Sequence, residues 1–178
     1  MNKDVEQILI SEEELKSICK RLGEQITRDY EGKKLLVVSV LKGAVVFMSD
    51  LLREIKCDCV IDFIAVSSYS GAKTTGVVKF KKDFDINPEG MHILIVEDIL
   101  DSGITLSYLS GVLKGRNAES IKICALLDKP ENRQADIKAD YVGKVIPDAF
   151  VVGYGLDYDE KYRNLPYVGV LSPSVYEK

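Results

Sequence analysis

Four nearly continuous apolar runs punctuate this chain: "KLLVVSVL" at 34–41, "CVIDFIAVSSY" at 59–69, "HILIVED" at 92–98 and "SIKICALLDK" at 120–129. Each is short and rich in valine, isoleucine or leucine, with little alternation of polar and apolar residues. A strand with one wet face alternates. A strand that does not is buried on both faces, as in a parallel sheet covered by helices on either side. Helical segments lie between the runs. Ser11 can cap a helix over residues 11–29, with Glu13 and Glu14 in its first turn and Leu15, Ile18, Leu22 and Ile26 at helical spacing. Gly43 breaks the first run, and "AVVFMSDLLREI" follows as a second helix. Residues 103–116 read as a third. This alternation predicts an α/β fold, a parallel sheet flanked by helices with right-handed crossovers. The C-terminal stretch "YVGKVIPDAFVVGYGLDYDEKYRNLPYVGVL" is rich in valine, tyrosine and glycine. It predicts short strands and turns that cap one sheet edge.

Composition narrows the function classes. A length of 178 residues favours one domain, 1–178, with a full core. The net charge of −4 argues against nucleic acid as a partner, because that needs a basic surface. The N-terminus lacks the basic and apolar regions of a signal peptide, and no run approaches a membrane span. Cys19, Cys57, Cys59 and Cys124 are scattered, and His92 is the one histidine. That pattern suits neither a disulfide framework nor a zinc site, and predicts a reduced, cytoplasmic protein.

The chemistry concentrates in "ILIVEDILDSGITL", residues 93–106. In an open α/β sheet, ligands bind beyond the carboxyl ends of the strands. Here a strand delivers Glu97, Asp98 and Asp101 to that end, and Ser102, Gly103, Ile104 and Thr105 lead into a helix. The first helical amides have no internal partners, Gly103 permits a tight turn, and two hydroxyls stand beside it, which makes a site for a phosphate monoester. Taken alone, Ser102 and Thr105 fit an ordinary helix cap better than a phosphate site; the three carboxylates shift the balance. Adjacent Glu97 and Asp98 are costly together unless a cation bridges them, and Mg²⁺ prefers such oxygen ligands. Two alternatives fail on spacing. A phosphatase nucleophile motif needs Asp-x-Asp, whereas Asp98 and Asp101 are three apart. A calcium loop counted from Asp157 would put Tyr162 where glycine is required and Val168 where glutamate is.

Two acids, two hydrophobic residues and Asp-Ser-Gly-x-Thr after an apolar strand resemble the phosphoribosyl pyrophosphate (PRPP) signature of type I phosphoribosyltransferases. "VLKGAVVFMSDL", "DFIAVSSYSG", "LLDKPENR" and "FVVGYGLDYDEKYRNLPYVGVL" resemble, in order, segments of the hypoxanthine-guanine branch of that family, from about Val38 to Leu171. The resemblance implies the family's fold, with a small hood formed from the chain termini. It implies transfer of phosphoribose from PRPP to hypoxanthine or guanine with Mg²⁺, in a homodimer or homotetramer. It further implies that Glu97 and Asp98 contact the ribose and support Mg²⁺, that Asp101 is the general base or acid at purine N7, and that Ser102, Gly103, Ile104 and Thr105 cradle the 5′-phosphate. Leu41, Lys42 and Gly43 would form the pyrophosphate loop, where the family carries a cis peptide before the lysine, and Arg163 would reach pyrophosphate. Ile99, Lys129, Phe150, Val151 and Asp157 would surround the purine. Lys129 would read the 6-oxo group, Phe150 would stack, and Asp157 would hold a second Mg²⁺. Ser68 and Tyr69 would sit on a flap. Ser102 and Ile104 depart from the Thr and Lys common in relatives, which matters little if backbone amides do the binding. A DNA-binding PRPP sensor on the same fold is the rival reading, and it lacks the basic face it needs.

Read without the resemblance, Lys129 fits a solvated turn lysine and Phe150 a core aromatic. "SYSGAKTTGVVKFKKD" fits an exposed hairpin as well as a lid that keeps water from a reactive ribose carbon.

Overall fold

A computed structural model of the chain describes residues 2–68 and 78–177. The apolar runs form the middle of one sheet. Strands β2 (Leu35–Leu41), β3 (Cys59–Ser68), β5 (His92–Leu100) and β6 (Ser120–Asp128) pair in parallel. With β4 (Val78–Lys82) and β7 (Tyr141–Val145) they give the order β4-β3-β2-β5-β6-β7. The sheet is parallel except at one edge, where β4 runs antiparallel to β3. The "hairpin" expected of the glycine-rich segment thus has both arms in the sheet. Its Ser68 pairs in backbone register with Val78, and Tyr69 lies outside the described residues.

The central strands β2, β5 and β6 are buried on both faces, as their lack of alternation requires, whereas Val60 and Ile61 of β3 are exposed. Leu35, Val37, Leu94, Val96, Cys124 and Leu126 pack toward helices α1 (Glu12–Tyr30) and α2 (Val45–Glu54). Leu36, Val38, Ile93, Ile95, Ile123 and Ala125 pack the other way, onto Leu106, Leu109 and Leu113 of α3 (Ile104–Lys114). Ser11 caps α1 by accepting the Glu14 amide at 3.2 Å. Burying a leucine or valine is worth about 1.5–3 kcal/mol, so these two layers dominate the fold.

The chain ends form a separate three-stranded sheet, β1 (Val5–Ile10), β9 (Val168–Leu171) and β8 (Val151–Val152), in the order β1-β9-β8. This is the hood. The C-terminal stretch therefore divides: β7 extends the main sheet, while β8 and β9 join the N-terminus. Strand β5 runs two residues beyond the sequence-based boundary, because Ile99 and Leu100 continue the ladder opposite Leu127 and Asp128. Glu97 and Asp98 thus stand within the strand, two residues short of its end.

Candidate active site

Three segments meet at the carboxyl edge of the sheet. The first is the turn after β2, where the Leu41–Lys42 peptide is cis and the Lys42 carbonyl accepts the Val45 amide at 3.3 Å. The second is the end of β5 with the turn into α3. The third is the hood loop from Gly153 to Arg163. They are in direct contact. A Cβ at Gly43 would collide with the Asp98 carboxylate, and one at Gly155 would collide with the Gly43 carbonyl. Glycine at 43 is what lets the first loop lie against the acids of the second.

The turn into α3 has the form expected of an anion cradle. Gly103 takes the left-handed conformation (φ 79°) at the helix N-cap and makes no side-chain cap. The intrahelical ladder starts only at Ser107, whose amide donates to the Gly103 carbonyl at 2.9 Å, so the amides of residues 104–106 lack helical partners. Ile104 is exposed and offers only its backbone to a ligand. A cavity of 170 Å³ opens here, walled by Asp98, Asp101, Gly103, Thr105 and Leu106 among others. The turn is braced from behind. Gln134 and Ala135 donate to the Ser102 carbonyl at 2.9 and 3.1 Å, and Arg133 donates to the Asp101 carbonyl at 2.7 Å while pairing with Asp128. Asp101 Oδ1 is buried and has no partner in the protein, a free acceptor at the cavity wall.

The electrostatics of the two upstream acids are unusual. Burial, and then the adjacent Asp98 charge, push the Glu97 carboxyl well above the ordinary carboxylate range. Burial pushes Asp98 up to about 6; Arg163 opposes the shift and Asp157 adds to it. Asp157 and Arg163 are thus close enough for their charges to act on Asp98. Asp98 accepts the Ile99 amide at 2.8 Å, and among the described residues neither acid has a cationic side chain in contact. Their donor set is oxygen only, which suits Mg²⁺. Among the described residues, no three acids, histidines or cysteines are gathered into a ready-made metal cage. Mg²⁺ is normally held by one or two carboxylates, with water and substrate phosphate completing its shell, so the Glu97–Asp98 pair fits one such ion and Asp157 fits a second.

The hood loop brings charge of both signs. Arg163 contacts Asp157 at 2.8 Å and Glu160 at 3.2 Å, and donates to the Gly155 carbonyl at 2.8 Å. Glu160 also meets Lys42 at 3.1 Å. Lys42 and then Arg163 hold the Glu160 carboxyl below its usual range.

The base-binding candidates separate from their ordinary readings. Lys129 is 6% exposed, so it is no solvated turn lysine. Among the described residues its ammonium reaches only Asp148, at 3.5 Å, while its amide donates to the Leu100 carbonyl. A buried ammonium with three donors and one distant acceptor has donors to spare. Phe150, conversely, is not a core aromatic: it is 41% exposed. Tyr176 of α4 (Pro173–Tyr176) stacks on its ring at 5.0 Å and Tyr158 meets it edge-on at 5.6 Å. A base between the Phe150 and Tyr176 rings would need about 7 Å, so only the other face of Phe150 can take one. Val151 begins β8 opposite Val170. Ile99 is partly buried against the core.

Sequence reasoning overlooked Arg133, Asp148 and Glu160. Arg133 and Asp148 act on Asp101 and Lys129 from positions 32 and 19 residues away in sequence. The one available signal was "DKPENR", where Pro130 turns the chain straight after Lys129 and sends Arg133 back. A larger hollow of 590 Å³ lies at the opposite, amino end of the strands, near Lys33, Lys34, Cys57 and Cys59. That is the edge where α/β sheets do not place their ligands.

Known proteins match this arrangement over nearly the whole chain. The family model for the phosphoribosyl transferase domain matches residues 4–159. The hypoxanthine-guanine phosphoribosyltransferase of Bacillus subtilis is 56% identical over 178 residues, covering 99% of each chain. That of Staphylococcus aureus is 52% identical over 177 residues, with the same coverage. A crystal structure of the Staphylococcus aureus hypoxanthine phosphoribosyltransferase superposes with a TM-score of 0.96 at 52% identity, over 98% of this chain and 96% of that one. The Trypanosoma cruzi hypoxanthine phosphoribosyl transferase gives 0.95 at 41% identity, over 99% and 96%.

Proposed function

The chain belongs to the phosphoribosyltransferase family, and from that premise we propose that it is a purine-salvage enzyme. It transfers the 5-phosphoribosyl group of PRPP to hypoxanthine or guanine, giving IMP or GMP and releasing pyrophosphate. The observation that carries this reading is the junction at residues 97–106. Buried Glu97, half-buried Asp98 and the unpartnered Asp101 oxygen stand directly before a helix start whose first amides lack helical partners, the order in which a ribose 5-phosphate presents its hydroxyls and its phosphate.

The mechanism follows from the residues. The amides of 103–106 and the Thr105 hydroxyl hold the 5′-phosphate, which anchors the sugar. Glu97 and Asp98 face its hydroxyls. A ring nitrogen of the purine attacks C1 of the ribose, and the bond from C1 to pyrophosphate breaks. As that bond forms, the proton on N7 passes to Asp101, a step of the kind typically worth ~10²–10⁴ in rate. The peptide segment at Leu41, Lys42 and Gly43 and the Arg163 guanidinium stabilise the departing pyrophosphate. Glu97 and Asp98 would support one Mg²⁺ and Asp157 would hold a second, and such ions would supply further charge neutralisation there. Phe150 stacks on the base through its open face, beside Ile99 and the Val151 backbone. Lys129 donates to the 6-oxo group. Adenine presents a donor at that position and would leave a buried ammonium unsatisfied, the kind of mismatch that discriminates by ~10⁴ or more.

The whole span 1–178 acts as one domain. The four cysteines are free thiols, which suits a reducing, cytoplasmic setting. No described helix is long and apolar enough to cross a membrane. Exposed Val60 and Ile61 on β3 suit burial in a homodimer or homotetramer. The test of function is product formation. Hypoxanthine or guanine with PRPP should yield IMP or GMP only when Mg²⁺ is present, and no product from either base would reject the reading.

A further inference from the structure

Glu160 sits where no substrate-binding role has been given to it, yet it touches both cations of the pyrophosphate site. Lys42 Nζ lies 3.1 Å from each of its carboxylate oxygens, and Arg163 Nη2 lies 3.2 Å from one of them. These cations come from two different walls of the cleft, the turn after β2 and the hood loop. The carboxylate between them is delivered by a tight hairpin tip. Asp159, Glu160 and Tyr162 all adopt left-handed backbone conformations, with φ of 52°, 60° and 75°. The Glu160 amide donates to Asp157 at 3.0 Å, and Tyr158 and Lys161 bond each other's backbones. Left-handed conformations in non-glycine residues cost energy and persist where surrounding structure fixes them, so the tip is built to hold this shape.

We propose that the Glu160 carboxylate is an internal stand-in for pyrophosphate: it bridges Lys42 and Arg163 in the free enzyme and competes with pyrophosphate for them. The proposal rests on the reading of Lys42 and Arg163 as the pyrophosphate-binding cations. Physical chemistry supports exchange rather than a permanent strut. Side chains of Lys42 and Glu160 are 67% and 65% exposed, and ion pairs in that setting are weak and easily broken. Pyrophosphate carries more charge and more acceptor oxygens than one carboxylate, so it displaces Glu160. The displaced carboxylate then stays near the bound anion and repels it. Before substrate arrives, Glu160 keeps Lys42 and Arg163 extended across the cleft. After transfer, its return to the two cations favours release of pyrophosphate.

Titration calorimetry with inorganic pyrophosphate and MgCl₂ tests this, using wild type, Glu160→Gln, Glu160→Asp, Lys42→Ala and Arg163→Ala. Glu160→Gln should bind pyrophosphate about two- to tenfold more tightly, the range set by exposed ion pairs. Its KM for PRPP should fall in step, its KM for guanine should hold, and the gap from wild type should narrow at high salt. Glu160→Asp, which keeps the charge, should return toward wild type. A purely structural role would lower affinity for both substrates alike and would not show this rescue. Unchanged or weaker pyrophosphate binding in Glu160→Gln, with Lys42→Ala and Arg163→Ala both weakened, would overturn the competition while leaving the site assignment standing. Unchanged binding in Lys42→Ala and Arg163→Ala would overturn the site assignment and the proposal together.

Discussion

Replacing Asp98 with asparagine should make the ligand-free protein more stable and cost it the use of PRPP. Burial lifts the Asp98 carboxyl from 3.8 to about 6. That is roughly two units, and at 1.36 kcal/mol per unit the fold disfavours the ionised form by about 3 kcal/mol at neutral pH. Because the folded value lies above the unfolded one, the native state holds a proton between those two values that the unfolded chain has already released. The contribution is therefore fully present below the unfolded value and is lost as pH rises through the folded one. Asparagine is neutral throughout, and its Oδ1 can keep the 2.8 Å bond from the Ile99 amide. It also removes a charge that presses on Glu97. Local relaxation takes back part of the gain, which leaves about 1–3 kcal/mol at neutral pH. For a chain of this size, that raises the melting temperature by about 3–10 °C. Thermal melts of both proteins across the acid-to-neutral range measure it: the two curves should converge in acid and separate near neutrality. PRPP with Mg²⁺ should raise the wild-type melting temperature and leave that of Asp98→Asn nearly still. A variant that melts at or below wild type at neutral pH would refute the reasoning, since the carboxylate would then not be a buried charge awaiting a partner.

Three further substitutions probe separate parts of the account. Asp101→Asn should keep nucleotide affinity while turnover drops by at least ~10², and near-normal turnover in steady-state kinetics would remove Asp101 from proton transfer. Lys129→Ala should erode the preference for 6-oxopurines over adenine, and an unchanged ratio of kcat/KM values would show that another group reads position 6. Gly43→Ala forces a methyl against the Asp98 carboxylate, so the loop must shift. A displacement of about 1 Å can cost ~10² in rate, and activity within twofold or so of wild type would show that the loop position is not critical.

The main sheet was readable because its central strands are buried on both faces and say so locally. The hood was legible only through the family resemblance. In "VEQILI" only Val5 and Ile10 are fully buried, and β1 exists because it pairs with Val168–Leu171 at the far end of the chain. Strand propensity in such segments is decided by the partner. The same division holds at the site. The turn at 101–105 was legible because strand, loop and helix start are contiguous in sequence, so their chemistry is fixed by local geometry. Lys129 and Phe150 pointed to a ligand only through family resemblance. Their burial and exposure, the reverse of what each residue type ordinarily shows, emerged once β6 and the hood were in place. Glu160 could not be found at all from sequence, since its meaning depends on Lys42, which the fold brings across 118 residues.

Crystals grown with GMP and Mg²⁺ address the central assignment most directly. The account predicts the 5′-phosphate within hydrogen-bond distance of the backbone amides of Gly103 to Leu106 and the Thr105 hydroxyl, with the ribose hydroxyls facing Glu97 and Asp98. A nucleotide bound elsewhere, with its phosphate away from that turn, would contradict it.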